Sequence, residues 1–501
     1  VKVQILLSKP TPNPAKCRVF AFQGKTSMAD SVRKESSAVS AMSQHWPIIT
    51  DLLGGTPAMR KAGTRHLPQW PNEDNESYAA RLKVATLFPA FKRTIEVLAG
   101  KPFSKPLTYG DDVPAKIKKW CEDIDLQGRN LHSFAASLCE QALAYGLSGI
   151  LVDYPKAEGI RTAADEQKAG VRPYFVQIHP QNILGWKSMR INGLETLTLL
   201  RLRECVIEDD GEFGEKEVEQ VRVLYPGKWE VYRKKEGASA NADEWVLHDE
   251  GVTTLKKIPF VPVYGNRTGY MTAMPPLLEM AHMNVKHFQS QSDQDTIMHV
   301  ARVPILAVIG VDDDKWNLTV GASSAVKLPI QGDMKFVEHS GAAIEAGRKH
   351  LLDLEDQMRQ AGAELLVIKP ANITEAQTLS DNEQGRCTLQ RITADEKDAI
   401  NQGLQLMAEW VGEKTGGNIN IYDDFGFEQL AAASADLLQK IGTSRGLSKQ
   451  TVFEELQRRG IIRPELKWTE EEARLKAEEP DFGMMTGDQG FGNPKTGNAA
   501  A

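Results

Sequence analysis

Several things that would point to a familiar class are missing from this sequence. Only five cysteines occur among 501 residues, Cys17, Cys121, Cys139, Cys205 and Cys387. They are odd in number, widely scattered and never spaced C-x-x-C, which excludes a disulfide framework and a cysteine zinc site and fits a reducing compartment. Long hydrophobic runs are missing as well. The longest apolar stretches, such as residues 303–311, fall far short of the roughly 20 residues that a spanning helix needs, so no membrane contact is expected. The opening Val1-Lys2-Val3-Gln4-Ile5-Leu6-Leu7 is too brief for a secretion signal and runs into prolines, so no export is expected.

Complete catalytic motifs are absent too. Gln23-Gly24-Lys25-Thr26-Ser27 imitates the end of a phosphate-binding loop, but Val19 stands where the first glycine must be, so the backbone amides could not wrap a phosphate. Gly146-Leu147-Ser148-Gly149 suggests a nucleophile elbow, yet Ile150 replaces the closing glycine, and the local order is helix then strand. Asp312-Asp313-Asp314 lacks the further oxygen ligands of a hard-cation site and reads as a solvated loop. His282, His287 and His299 share one helix at spacings of five and twelve, which do not make a metal pair; they read as packing or interface residues. Met271, Met274, Met280 and Met283 are explained by core and subunit contacts. No catalytic residue, metal ligand or cofactor is expected, and the chain is read as a non-enzyme.

What is present is an ordinary globular composition, 41% hydrophobic and 25% charged, in a chain too long for one core. The net charge of −7 is unevenly spread: residues 1–65 carry ten Lys or Arg against Asp30, Glu35 and Asp51, about +7, leaving about −14 elsewhere. That is a basic arm on an acidic body. The arm is rich in Lys, Ser, Pro and Gly, with Pro10, Pro12 and Pro14 close together and room for a short helix near residues 36–43; it is expected to be partly disordered.

Apolar residues recur at helical steps over 75–99, with a bend at Pro89, and over 131–146. Between residues 174 and 265 the period changes to two, which predicts a largely antiparallel sheet. Then come two long helices of about 24 residues, roughly 36 Å each, separated by a small β-like insertion at 305–310, 325–329 and 335–337. A loop follows, then another long helix over about 380–410, a strand at 418–422 expected to join the earlier sheet, and two shorter helices at 428–441 and 448–459. The last 35 or so residues, charged and then rich in Gly and Asp, are expected to be mobile.

Four passages stand out: Trp46–Leu53 with Gly54 and Leu67-Pro68; Tyr78-Ala79-Ala80-Arg81-Leu82 through Phe88-Pro89-Ala90-Phe91 to Leu98-Ala99-Gly100-Lys101-Pro102-Phe103; Ile258-Pro259-Phe260-Val261-Pro262-Val263; and Asn420-Ile421-Tyr422-Asp423-Asp424-Phe425. With the order of elements, they make the chain resemble, across roughly residues 40–460, the portal proteins of tailed double-stranded DNA bacteriophages. The resemblance implies an α+β, mainly helical fold with wing, stem, clip and crown. Its parts would be a basic arm at 1–65, a wing at 66–273, a first stem helix at 274–302, a clip at 303–340 and a second stem helix at 341–366. A tunnel loop at 367–379, a long helix and wing-return strand at 380–427, crown helices at 428–462 and a flexible tail at 463–501 would complete it.

By the same resemblance the chain would form a homo-oligomeric, dodecameric ring at one capsid vertex of the virion, made in the bacterial cytoplasm, and would serve DNA packaging and ejection. Double-stranded DNA would pass without sequence-specific reading, and the partners would be the terminase large subunit, major capsid and scaffolding proteins, and head-to-tail adaptors. The tunnel loop would present Lys369, Asn372, Ile373 and Thr374 to DNA, while Lys327, Lys335, Arg348 and Lys349, flanking the clip and the second stem helix, read equally as channel lining or as ordinary subunit-interface charge. An acidic wall with sparse cations would pass a polyanion without gripping it. The alternatives are a nuclease or ATPase of phage DNA metabolism and another head or tail scaffold protein.

Overall fold

A computed structural model describes residues 31–155, 171–235, 244–301, 305–309, 333–337, 341–366, 387–423, 448–458, 462 and 466–478. Three short helices come first: α1 (Ser37–Ser43), α2 (Trp46–Leu53) and α3 (Gly55–Ala62). The Ser36 hydroxyl starts α1 by accepting from the Val39 N–H. Val39, Trp46, Ile49, Leu52 and Met59 are buried, so the expectation of an arm reaching residue 65 is corrected: from residue 37 onward the chain belongs to the core. Trp46, Ile49 and Leu52, three residues apart, make one apolar stripe, while Lys61 and Arg65 remain in solvent.

The single bent helix expected over 75–99 is two helices, α4 (Asn75–Val84) and α5 (Ala90–Gly100). Pro89 lacks an N–H and pushes Phe88 out of helical geometry, so the chain breaks rather than bends. After β1 (Thr108–Tyr109) and α6 (Ala115–Trp120), α7 (Leu131–Tyr145) is capped by Asn130, whose side chain accepts from Ser133 N–H at 2.8 Å, and leads into β2 (Leu147–Asp153). β3 (Tyr174–Ile178) and β9 (Phe260–Tyr264) flank β2 in a three-stranded sheet. Leu147 and Leu151 join one hydrophobic cluster, Ile150 and Val152 another. Burial on both faces is why this strand is one continuous apolar run.

Between β3 and β9 lies a second sheet, the meander β4 (Ile183–Ile191), β5 (Leu194–Asp210), β6 (Gly214–Tyr225), β7 (Lys228–Lys234) and β8 (Trp245–Val252). Asn192 and Gly193, at φ 51° and 84°, supply the two positive-φ residues of the tight turn that pairs Ile191 with Leu194. A small hairpin of β10 (Arg267–Gly269) and β11 (Thr272–Ala273) closes this half. Every strand pairing among the described residues is antiparallel.

The second half contains α8 (Leu278–Ala301), the hairpin β12 (Ile305–Ile309) with β13 (Asp333–Val337), α9 (Ala342–Ala363) and α10 (Thr388–Val411). β14 (Ile419–Asn420) pairs with β1, Thr108 opposite Asn420, and not with the earlier sheet as expected. Asn401 on α10 accepts from the Ile419 N–H at 2.9 Å, and the Asn418 amide donates to Asp112 at 2.7 Å. These bonds hold it there. α11 (Lys449–Arg458) and α12 (Trp468–Glu478) end the described chain. The rings of Phe453 and Trp468 lie 5.4 Å apart, so within the stretch expected to be a flexible tail residues 468–478 form a helix that meets its neighbour. The expected helix at 428–441 and the β-like stretch at 325–329 lie outside the described residues.

Candidate functional site

The pair α8 and α9 with the hairpin between them is the most distinctive unit of the molecule. At 24 and 22 residues the helices are roughly 36 and 33 Å long. On α9, Leu351, Leu354 and Met358 form a buried apolar stripe, which Leu365 in the 3-10 turn Glu364–Leu366 continues. The facing side of α8 is different. It buries Met280, Ala281 and Phe288 but also Asn284, His287, Ser292 and Gln294.

Each of those polar groups needs a partner, and most have one. Gln294 donates from Nε2 to the Ile344 carbonyl at 2.9 Å, tying the end of one strut to the start of the other. Its amide lies against Gly347, where any Cβ would overlap it; glycine is therefore what lets the helices approach at this level. Gly347→Leu is expected to lower the unfolding free energy by about 1–3 kcal/mol, the usual cost of forcing extra carbons into a packed seam, read by denaturant titration. Gly347→Ala should be near neutral, since ~1 kcal/mol of helix propensity offsets the lost Gln294 bond.

At the other end, α8 is keyed to the preceding helices. The Asn284 Oδ1 accepts from the Phe91 N–H and its Nδ2 donates to the Phe88 carbonyl, both at 2.9 Å. Asn284 is fully buried, so it satisfies the backbone groups exposed by the break at Pro89, including an orphan donor of the first turn of α5. Arg81 on α4 donates to both oxygens of Glu73 at 2.8 and 2.7 Å and to the Pro68 carbonyl at 2.9 Å. Its guanidinium also covers the Trp70 ring at 4.1 Å and approaches the Ser292 hydroxyl of α8 at 3.5 Å. The Arg81 hydrogen bonds hold the Glu73 carboxyl below its usual range. His287, buried beside Phe88 at 5.3 Å, has Glu355 of α9 at 3.7 Å, and burial lowers its pKa.

The side of α9 away from the seam is charged. Arg348 donates to Glu345 at 3.1 and 2.6 Å, and Arg359 engages Glu355 and Asp356. Exposed pairs of this kind within one helix add little stability. Of the residues singled out from sequence, Arg348 and Lys349 are adjacent and exposed on this side, and Lys335 lies on β13 opposite Ala307. Lys327, Lys369, Asn372, Ile373 and Thr374 lie outside the described residues. His282 and His299 are exposed and His287 is buried, so the three do not converge. Among the described residues no group of three or more His, Cys, Asp or Glu is placed to hold a metal, and no helix is long and apolar enough to cross a membrane.

Sequence reasoning missed Asn284, Gln294 and Gly347. The signal for the first was legible: an asparagine in step with Ala281 and Phe288 inside an apolar stripe.

The chain can be set beside known proteins on this geometry. A family model described as "Domain of unknown function (DUF4055)" matches residues 276–411, which contain α8, the hairpin, α9 and α10. No curated protein matches. Among solved structures the chain is similar to one in the virion of a native gene transfer agent particle, at 12% identity and a TM-score of 0.39, covering 79% of this chain and 97% of that one. It is also similar to chains in the neck of the native gene transfer agent particle computed with C12 symmetry (12% identity, TM-score 0.41, 80% and 98% covered) and in the neck of the empty particle computed with C6 symmetry (14%, 0.41, 81% and 98%).

Proposed function

We propose that this chain is a ring-forming portal subunit of the tailed-phage type, a structural component of a head-to-neck junction that surrounds DNA and catalyses nothing. The observation that carries the reading is the order strut, hairpin, strut: α8 and α9 packed lengthwise, with β12 and β13 between their far ends. Such a unit, repeated around an axis, makes a barrel wall. The four portal-like sequence passages support it independently, and one of them meets the first strut at two points: Asn284 of α8 binds the Phe88-Pro89-Ala90-Phe91 stretch, and Arg81 lies beside Ser292. In this reading about twelve copies close the ring by head-to-tail contacts, and the loop that includes Lys369, Asn372, Ile373 and Thr374 faces the duplex. Terminase docks at the hairpin end first, and head-completion and tail proteins follow.

Native mass measurement with negative-stain imaging tests the ring: a particle of about twelve copies with a central hole is expected, and a monomer or closed shell at all concentrations overturns the reading. Deleting residues 370–376 should leave the ring intact and abolish DNA packaging or retention. Unchanged virion yield removes the loop from the mechanism. The purified protein should neither hydrolyse ATP nor cut DNA; either activity favours an enzyme of phage DNA metabolism.

A further inference from the structure

Between its two keyed ends the seam of α8 and α9 holds a titratable group that bonds to nothing. His287 is 2% exposed, and neither of its ring nitrogens has a hydrogen-bond partner. A neutral imidazole carries one N–H and one acceptor nitrogen, so both are stranded out of reach of solvent. Asn284 and Gln294, buried on the same helix, are bonded, as buried polar groups almost always are. His287 is the exception.

Glu355 of α9 stands 3.7 Å from its Nε2, too far for a hydrogen bond, and the other oxygen of that carboxylate faces Arg359 at 3.3 Å. Gln294 meets Gly347 where His287 meets Glu355, so the helices run antiparallel. The two levels are about 10 Å apart along α8 and about 12 Å along α9, which puts the unbonded pair in mid-seam.

Of the elements packed on α8, α9 supplies both charges that act on this imidazole: Glu355 favours the charged form and His350 opposes it. α2 carries Asp51, already held by Arg65 and His66. α5 carries Lys92 and Glu96, which line a different cavity with Tyr145 and His179, and the exposed Arg93. Arg81 of α4 is taken by Glu73, and the Phe88 ring covers His287 from the break between α4 and α5. On α8 itself Lys286 is exposed and Asp293 acts on Arg81. A proton on His287 thus makes a buried cation whose one counter-charge is shared. Burial outweighs that attraction and holds the pKa below the ordinary imidazole value. A group shifted in this direction contributes stability above about pH 6.5 that is lost as pH falls through its folded value.

We propose that His287 makes the seam of α8 and α9 a proton-operated joint, closed at neutral pH and loosened in mild acid while the rest of the fold holds. The Gln294 bond to Ile344 is the one hydrogen bond between the two helices among the described residues, so little else opposes the loosening. The joint needs only the two helices of one chain and does not depend on ring formation.

Hydrogen exchange of the full chain at pH 7.5 and pH 5, corrected for the intrinsic pH dependence of amide exchange, tests it in peptides covering residues 280–294 and 347–362. Protection there should fall about tenfold in acid, a local opening effect, while residues 220–234 keep theirs. His287→Phe and His287→Gln should abolish the acid effect. Glu355→Gln keeps the imidazole and removes its counter-charge, so it should enlarge the effect, and it serves where neither His287 variant folds. Equal protection of the parent seam at both pH values overturns the proposal. An acid effect that survives in a His287 variant, or that is no larger in Glu355→Gln, also overturns it. So does acceleration shared by residues 220–234, which makes the loss global.

Discussion

Glu396→Met is expected to raise the unfolding free energy at pH 8 by about 2 kcal/mol, because the parent buries a carboxyl that nothing satisfies. Glu396 on α10 is fully buried, neither of its oxygens has a hydrogen-bond partner, and the polar group beside it is the Cys139 thiol of α7. Burial pushes its pKa well above the ordinary value, so in the fold it stays protonated where the unfolded chain has already ionised. The sign follows. Below about pH 4.3 both states are protonated and the ionisation-linked part of the penalty vanishes, leaving only the cost of the unsatisfied neutral carboxyl. As pH rises toward the folded pKa, the parent loses up to about 1.4 kcal/mol per unit. Glu396→Gln should remove that slope, and urea titrations at pH 5 and pH 8 read it directly. If parent and Gln variant share one pH profile above pH 5, the carboxylate is ionised in the fold and has an unseen partner.

Arg81→Met should destabilise by about 2–3 kcal/mol. Breaking a deep ion pair costs more, about 3–5 kcal/mol, but the cover here is thin. The side chains of Arg81 and Glu73 are 4% and 5% exposed, yet Trp70, which roofs them, is 38% exposed. The loss removes the donor to the Pro68 carbonyl and leaves Glu73 the Trp70 N–H at 3.0 Å in place of two guanidinium bonds. Because pairing lowers the Glu73 pKa, its contribution is present at neutral pH and lost as pH falls through the folded value. The difference between parent and variant should therefore shrink in acid. A ring assembly assay adds a second readout, since Arg81 also touches α8. A variant as stable as the parent would reduce the Tyr78-Ala79-Ala80-Arg81-Leu82 passage to a surface helix.

Much of the layout was readable from local pattern. The two long helices showed in their three-and-four spacing, the meander in its period of two, and its first hairpin ends at Asn192-Gly193. The errors came where local signals were read without their partners. Residues 37–65 look like a basic arm until Trp46, Ile49 and Leu52 find a core. Residues 418–422 look like a strand for the earlier sheet, but Asn401 and Asp112 hold this stretch beside β1 instead. Of the candidate site, the charge on Arg348 and Lys349 was legible, and so was the i,i+3 spacing by which Arg348 pairs with Glu345 once the helix forms.

Sequence alone was sufficient for the properties that depend on neighbours a few residues apart: helix length, strand period, tight turns and the failure of Gly24-Lys25-Thr26 and Gly146-Leu147-Ser148-Gly149 to complete their motifs. Tertiary structure decided the rest. Asn284 meets Phe91 across 193 positions, Arg81 meets Ser292 across 211, and Glu396 meets Cys139 between two helices. Such contacts leave no periodic trace, because backbone preference acts within about one helical turn while burial and hydrogen-bond satisfaction depend on whatever surface the whole fold brings alongside.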